Sequence, residues 1–217
     1  MLPGMTPFMA AVPFAMPVFA TALSATPSVN WPAGVQSGDF ALLFSSARKG
    51  TNSNPTAVTP GGFTAVYNET TGLGNNNTGR TMVYRRICDG SETGTITALN
   101  DDNEGTILVV YRPTKPITGA TGFAPNKNGD AGNVSPLTVD PTGQAAPALS
   151  FGMRLSPSGG TPLSVPAGAA LYETANVDAG VYLMLRAEDL QITTWDIADN
   201  GNWNGLFVGG IALTITA

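Results

Sequence analysis

The sequence predicts an all-β fold: a β-sandwich of jelly-roll type, built from two similar halves and preceded by an extended N-terminal arm. Three observations carry this. Helical periodicity is nearly absent, and the apolar residues come in short, β-rich runs such as Ala41-Leu42-Leu43-Phe44 and Thr106-Ile107-Leu108-Val109-Val110-Tyr111. The 26 Gly and 17 Pro residues punctuate those runs without forming a low-complexity tract. The order of the runs also repeats along the chain.

In chain order, residues 1–26 read as an apolar, Pro-rich arm, since the first charged residue is Asp39. Prolines at 3, 7, 13 and 17 interrupt any membrane helix, and no Lys or Arg precedes the apolar residues as a secretory signal would require. No membrane association is expected. The arm offers Met5, Phe8, Phe14, Met16 and Phe19 as anchors. They suit docking on a neighbouring subunit, or alternatively folding back on the chain's own core. Residues 27–217 then read as the sandwich, with a first half at 27–113, a connecting loop at 114–135 and a second half at 136–217.

Within the first half, Ala41–Phe44, Arg80–Arg85, Thr95–Thr97 and Thr106–Tyr111 are strand candidates. Pro60-Gly61-Gly62, Gly74-Asn75-Asn76-Asn77 and Asp89-Gly90 are the turns between them. Asn126-Lys127-Asn128-Gly129-Asp130 supports the loop assignment. The repeat pairs Ser28-Val29-Asn30 with Thr138-Val139-Asp140, and Ala41–Phe44 with Ala148-Leu149-Ser150-Phe151. It pairs Tyr67 with Tyr172, and Thr81–Arg85 with Tyr182–Arg186. Ile96-Thr97 matches Ile192-Thr193, and Ile107 matches Phe207. The order is kept throughout, so duplication of a unit of about 80–90 residues is expected.

Charge and composition exclude several classes of function. Charged residues make up 12% of the chain and the formal net charge is −5, whereas nucleic-acid binding needs clustered cations. The adjacent pair Arg85-Arg86 lies inside a strand pattern and reads as a strand end. With no His, the usual general base and the commonest zinc ligand are missing. The lone Cys88, in an apolar run, reads as a small buried hydrophobe. No cofactor and no enzymatic activity are expected.

Two loops at equivalent places in the repeats carry the weak metal candidates Asp101, Asp102, Glu104 and Asp199. Neither has a full calcium-ligand pattern, and solvated turns are the plainer reading. Glu173, Asp178, Glu188 and Asp189 show no spacing that singles out an acid and a nucleophile. Trp31, Trp195 and Trp203 could form a sugar-stacking platform, although packing explains them as well.

One string is more specific. Trp31-Pro32-Ala33-Gly34-Val35-Gln36-Ser37-Gly38-Asp39-Phe40-Ala41-Leu42-Leu43-Phe44 is followed by Thr59-Pro60-Gly61-Gly62-Phe63-Thr64. Next come Tyr84-Arg85-Arg86 and Asp89-Gly90-Ser91-Glu92. Together they resemble a pattern of tailed-phage virion structural proteins, with Phe63 where that pattern usually has Trp. Residues 28–112 fit it well and 136–216 more loosely; the N-terminal arm falls outside it. The resemblance implies a β-sandwich virion protein. A capsid decoration (cement) protein bound to the major capsid protein or other virion proteins is the leading expectation. A tail-fibre or baseplate module that binds a host-surface glycan is the alternative. Such proteins commonly assemble as homo-oligomers, and a trimer is expected on that ground.

Overall fold

The computed structural model describes residues 14–50, 52–74, 76–100, 103–130, 136–141, 144, 147–156, 163–164, 170–174, 180–187, 193–197 and 204–216. The described residues contain no helix. The first half forms β1 (Val18–Ser24), β2 (Ser28–Asn30), β3 (Ser37–Lys49), β4 (Thr56–Ala57), β5 (Thr64–Gly74), β6 (Asn77–Asp89), β7 (Thr95–Thr97), β8 (Leu99–Asn100) and β9 (Asn103–Tyr111). The second half forms β10 (Ile117–Asp130), β11 (Leu137–Val139), β12 (Ala148–Ser156), β13 (Leu163–Ser164), β14 (Ala170–Thr174), β15 (Gly180–Ala187), β16 (Thr193–Ile197) and β17 (Asn204–Ile215).

Each half builds one five-stranded sheet, in the orders β1-β9-β3-β6-β5 and β10-β17-β12-β15-β14. Numbered within its own sheet, each reads first, last, second, fourth, third. The small pairings repeat as well: β2 with β7 corresponds to β11 with β16, and β4 with β8 to β13 with β16. Duplication is therefore visible in topology. The ladder also corrects the alignment. Tyr67 lies opposite Val83, Val83 opposite Phe44 and Phe44 opposite Ile107. In the second half Tyr172, Leu183, Met153 and Phe207 form the same chain. The matches of Tyr67 with Tyr172 and of Ile107 with Phe207 hold. Phe44 is equivalent to Met153, two residues beyond the Phe151 expected from sequence. Val83 is equivalent to Leu183, one short of Met184.

The sheets pack face to face, with β12 against β3, β10 against β5 and β14 against β1. First strand thus faces third in both directions, which is an approximate two-fold arrangement about an axis along the strands. Phe40, Leu42, Phe44, Val83, Ile107 and Val109 of one sheet meet Leu149, Phe151, Met153, Leu155 and Phe207 of the other. Phe151 receives both Phe44 and Tyr67 edge-on, with ring centroids 5.7 and 5.1 Å away. Full burial of each such side chain contributes roughly 1.5–3 kcal/mol. The alternate residues Ala41, Leu43, Ala47, Met82, Tyr84, Leu108 and Val110 fill a second core. Val29, Phe63, Ile96 and Leu99 cover it from the short strands and loops. The first sheet is therefore buried on both faces.

Three expectations change. The chain completes one sheet before starting the next, whereas a jelly roll winds Greek keys through both. The connecting loop expected over 114–135 contains the fourteen-residue β10, paired along its length with β17. Its turn-forming residues misled the reading. Pro125 falls in a register break between Phe123 and Asn126, where the missing donor is tolerated. Gly122 packs where a Cβ would come within 2.0 Å of the Val66 carbonyl oxygen. The arm expected over 1–26 is, from Val18 on, the edge strand β1 paired with β9. Its uncharged VFATALS run suits a strand beside the buried β9.

Candidate functional site

The signature residues converge at one end of the first sheet, where two arginines tie the loops to the strands. Arg86 is a half-buried residue of β6, between the buried Tyr84 and Cys88. Its Nε donates to Glu92 Oε1 at 2.9 Å, its Nη2 lies 2.8 Å from the same oxygen in a salt bridge, and its Nη1 donates to the Gly61 carbonyl at 3.2 Å. Glu92 in turn accepts from the Asp89 and Gly90 backbone N–H groups at 3.0 and 2.8 Å. Its side chain is fully buried, while that of Arg86 is 18% exposed. The guanidinium also lies over the Trp31 ring, 5.6 Å from its centroid, and Trp31 stacks on Phe63 at 5.7 Å. Gly62, with φ +78°, makes room for it, since a Cβ there would come within 2.5 Å of Arg86 Nη1.

The second knot is Arg112 with Asp39. Arg112 Nε and Nη2 donate to the two Asp39 oxygens at 2.9 and 2.8 Å, a bidentate pair. Arg112 Nη2 also reaches the Gly34 carbonyl at 2.9 Å. The Gln36 N–H donates to Asp39 Oδ2 at 2.8 Å, and the Asp39 N–H donates back to the Gln36 carbonyl. Gly34 and Gly38 take positive φ on either side of this turn. Burial alone would raise the Asp39 pKa, but the Arg112 and Gln36 hydrogen bonds and the Arg112 charge outweigh it and hold the carboxyl below its ordinary value. Phe19 stacks on the far face of Arg112, whose Cζ lies 3.9 Å from the ring centroid.

These contacts account for the motif residue by residue. The glycines turn the chain, Asp39 and Glu92 anchor arginines, and Phe63 fills the aromatic place against Trp31. The arrangement is a structural clamp, in which each charge meets its partner within the chain. The sequence carries one signal for the pairing of Asp39 that sequence reasoning missed: a lone carboxylate entering an apolar run must be paired. Its partner Arg112, 73 positions away, left no local signal. Cys88 is buried, and burial, helped by Glu92, pushes its thiol up to about 12, as expected for an inert core residue.

Of the expected arm anchors, Phe14 and Met16 pack on the inter-sheet core, Phe19 lies on Arg112, and Met5 and Phe8 lie outside the described residues. The Ala15 N–H donates to Thr114 Oγ1, and the Arg112 N–H donates to the Pro17 carbonyl. The segment therefore enters the fold beside the link between the sheets. Asp101, Asp102 and Asp199 lie outside the described residues, and Glu104 falls in β9 opposite Ala47. Among the described residues no group of three or more acidic or Cys side chains is placed to hold a metal ion. Glu173 lies in β14, while Asp178, Glu188 and Asp189 are outside the described residues. Trp31 is in the clamp, Trp195 pairs with Leu137 in β16, and Trp203 is outside the described residues.

No family model, curated protein or solved structure matches this chain.

Proposed function

We propose that the chain is a structural component of a tailed-phage virion: a capsid decoration protein that acts through protein–protein contacts, without catalysis, and assembles as a homo-oligomer. The observation that carries this reading is the rooting of the N-terminal segment. Phe14 and Met16 are set in the inter-sheet core, and the strand that follows is hydrogen-bonded to β9. A segment anchored on a neighbouring virion protein through Met5 and Phe8 would thus be tied to the whole sandwich rather than to a surface loop. The resemblance of residues 28–112 to virion proteins supports the location. The engagement of Trp31 by Phe63 and Arg86 makes the glycan-binding alternative the weaker one.

The test is addition of purified protein to particles lacking it. Deletion of residues 2–13 removes Met5 and Phe8 and spares Phe14, Met16 and β1. The expected result is loss of particle binding with unchanged thermal stability. Binding equal to that of the intact chain would refute anchoring by this segment.

A further inference from the structure

We infer that the free edge of β1 is a symmetric pairing surface for a second copy of this chain, which joins two first sheets into one continuous sheet. Three observations place it there. Among the described residues β1 ends its sheet, with β9 on one side and no strand on the other. Three of its side chains are exposed large hydrophobics: Val18 at 46%, Phe19 at 36% and Leu23 at 43%. An apolar edge strand with no charge and no proline is a template for another strand, and sheet proteins ordinarily blunt such edges.

The duplication supplies an internal control. The strand equivalent to β1 in the second half is β10, and its edge carries the protective devices that β1 lacks. Lys127 and Pro125 lie on it; a register break is common to both strands, between Phe123 and Asn126 in β10 and at Phe19 in β1. It is also closed against β5: the Tyr67 hydroxyl donates to the Asn126 carbonyl at 3.1 Å, and Lys127 Nζ pairs with Glu69 at 2.6 Å. One repeat thus has its first edge tied to the facing sheet by described side chains, while on β1 Val18, Phe19 and Leu23 remain exposed.

The occupant follows from the sequence of the strand. Phe19-Ala20-Thr21-Ala22-Leu23 reads nearly the same in both directions. An antiparallel pair of copies centred on Thr21 sets Thr21 opposite Thr21 and Ala20 opposite Ala22. It also sets the Val18–Phe19 end of one copy against the Leu23–Ser24 end of the other. The exposed hydrophobics then become neighbours, and no like charges meet within the strand pair, because Val18–Ser24 carries no charged residue. An open cleft of about 330 Å³ lies between β1 and β2, lined by Ala22, Leu23, Ser24, Ser28, Val29 and Asn30. The contact is isologous and closes after two copies, so it builds a dimer rather than the trimer expected from the resemblance.

The experiment uses the purified full chain and is independent of the virion reading. Sedimentation equilibrium should show a monomer–dimer equilibrium, and Leu23→Lys should weaken it on the order of tenfold or more, because a lysine on an edge strand opposes pairing. Register is read by cysteine crosslinking. Directly opposed residues of an antiparallel pair lie about 4.5–5.5 Å apart at Cα, within disulfide reach. Thr21→Cys should therefore crosslink two copies on mild oxidation. Ser24→Cys should not, since six residues of strand, roughly 20 Å, separate the two positions. Cys88 is buried and serves as the silent background thiol. A monomer at all concentrations, a trimer, or equal crosslinking at 21 and 24 would overturn the inference. So would a dimer that forms only after residues 2–13 are removed, because the chain's own N-terminus would then occupy the edge.

Discussion

Replacing Glu92 by Ala separates a clamp from a binding site. The wild-type carboxylate accepts three hydrogen bonds, one from Arg86 and two from the backbone at Asp89 and Gly90, and forms a salt bridge with Arg86 Nη2, with its side chain fully buried. Breaking one partner of a buried ion pair costs about 3–5 kcal/mol, because the remaining charge is left in a poorly solvated place. Here the lower end applies. Arg86 is 18% exposed, keeps its bond to the Gly61 carbonyl and keeps Trp31 beneath it, and Asp89 and Gly90 are exposed enough for water to replace one acceptor. The expected loss is about 3 kcal/mol. For a chain of this size, each kcal/mol lowers Tm by about 2–4 °C, so the melting temperature should fall by about 6–12 °C.

Urea titration followed by tryptophan fluorescence reports both the midpoint and the Trp31 environment. The double variant Arg86→Ala/Glu92→Ala completes a cycle, and residues in direct contact should show a coupling of about 0.5–3 kcal/mol. Particle binding by the Glu92→Ala protein, measured below its melting transition, should be unchanged. An unchanged urea midpoint would refute the clamp. Lost particle binding by a fully folded variant would make these residues a contact surface instead.

Two further perturbations test the packing and the electrostatics. Asp39 has a folded pKa below its ordinary value of 3.8, so its pairing stabilises the fold above that pH and the contribution is lost as the pH falls through and below it. Urea midpoints measured from pH 5 down to pH 2 should therefore fall less steeply for Asp39→Asn than for the wild type; parallel profiles would exclude Asp39 as a source of acid sensitivity. Gly122→Ala forces a Cβ toward the Val66 carbonyl and should cost about 1–3 kcal/mol by overpacking, while Gly72→Ala, with open space around it, should change stability by less than about 0.5 kcal/mol. Equal midpoints for the two would show that β10 and β5 do not meet as closely as described.

The fold class, the strand runs and the duplication were legible because each rests on local pattern or on order along the chain. What was hidden depends on contacts between distant residues. β10 looked like a loop because Gly119, Gly122, Pro125 and Asn128 are turn formers; only its pairing with β17, some ninety positions away, makes it a strand. The residue-level repeat slipped because β12 places apolar Leu149, Phe151, Met153 and Leu155 at every second position, so registers two residues apart score alike. The backbone ladder, which sequence does not display, selects one of them. The clamp was half legible: its glycines and carboxylates stand out in the motif, whereas Arg112 looks like any strand-end cation until Asp39 is found beside it.

Burial on both faces also explains the unusual composition. A sheet with one wet face alternates apolar and polar residues, but in β3 the stretch from Asp39 to Ala47 is buried without interruption. Ser45 and Ser46 sit inside it only because Thr106 and Thr81 satisfy their hydroxyls, at 3.3 and 2.6 Å. With both sides of the first sheet covered, few positions remain where a charge is harmless. The two equivalent edges then differ in a way that burial does not require. β10 received a lysine, a proline and a closing contact with β5, while β1 kept an uncharged, nearly palindromic run. A duplicated unit begins with the same edge twice, so on the proposed pairing the difference reflects opposite demands on the two copies: one edge carries a lysine and a proline and closes against β5, and the other keeps exposed apolar side chains to meet a strand from outside.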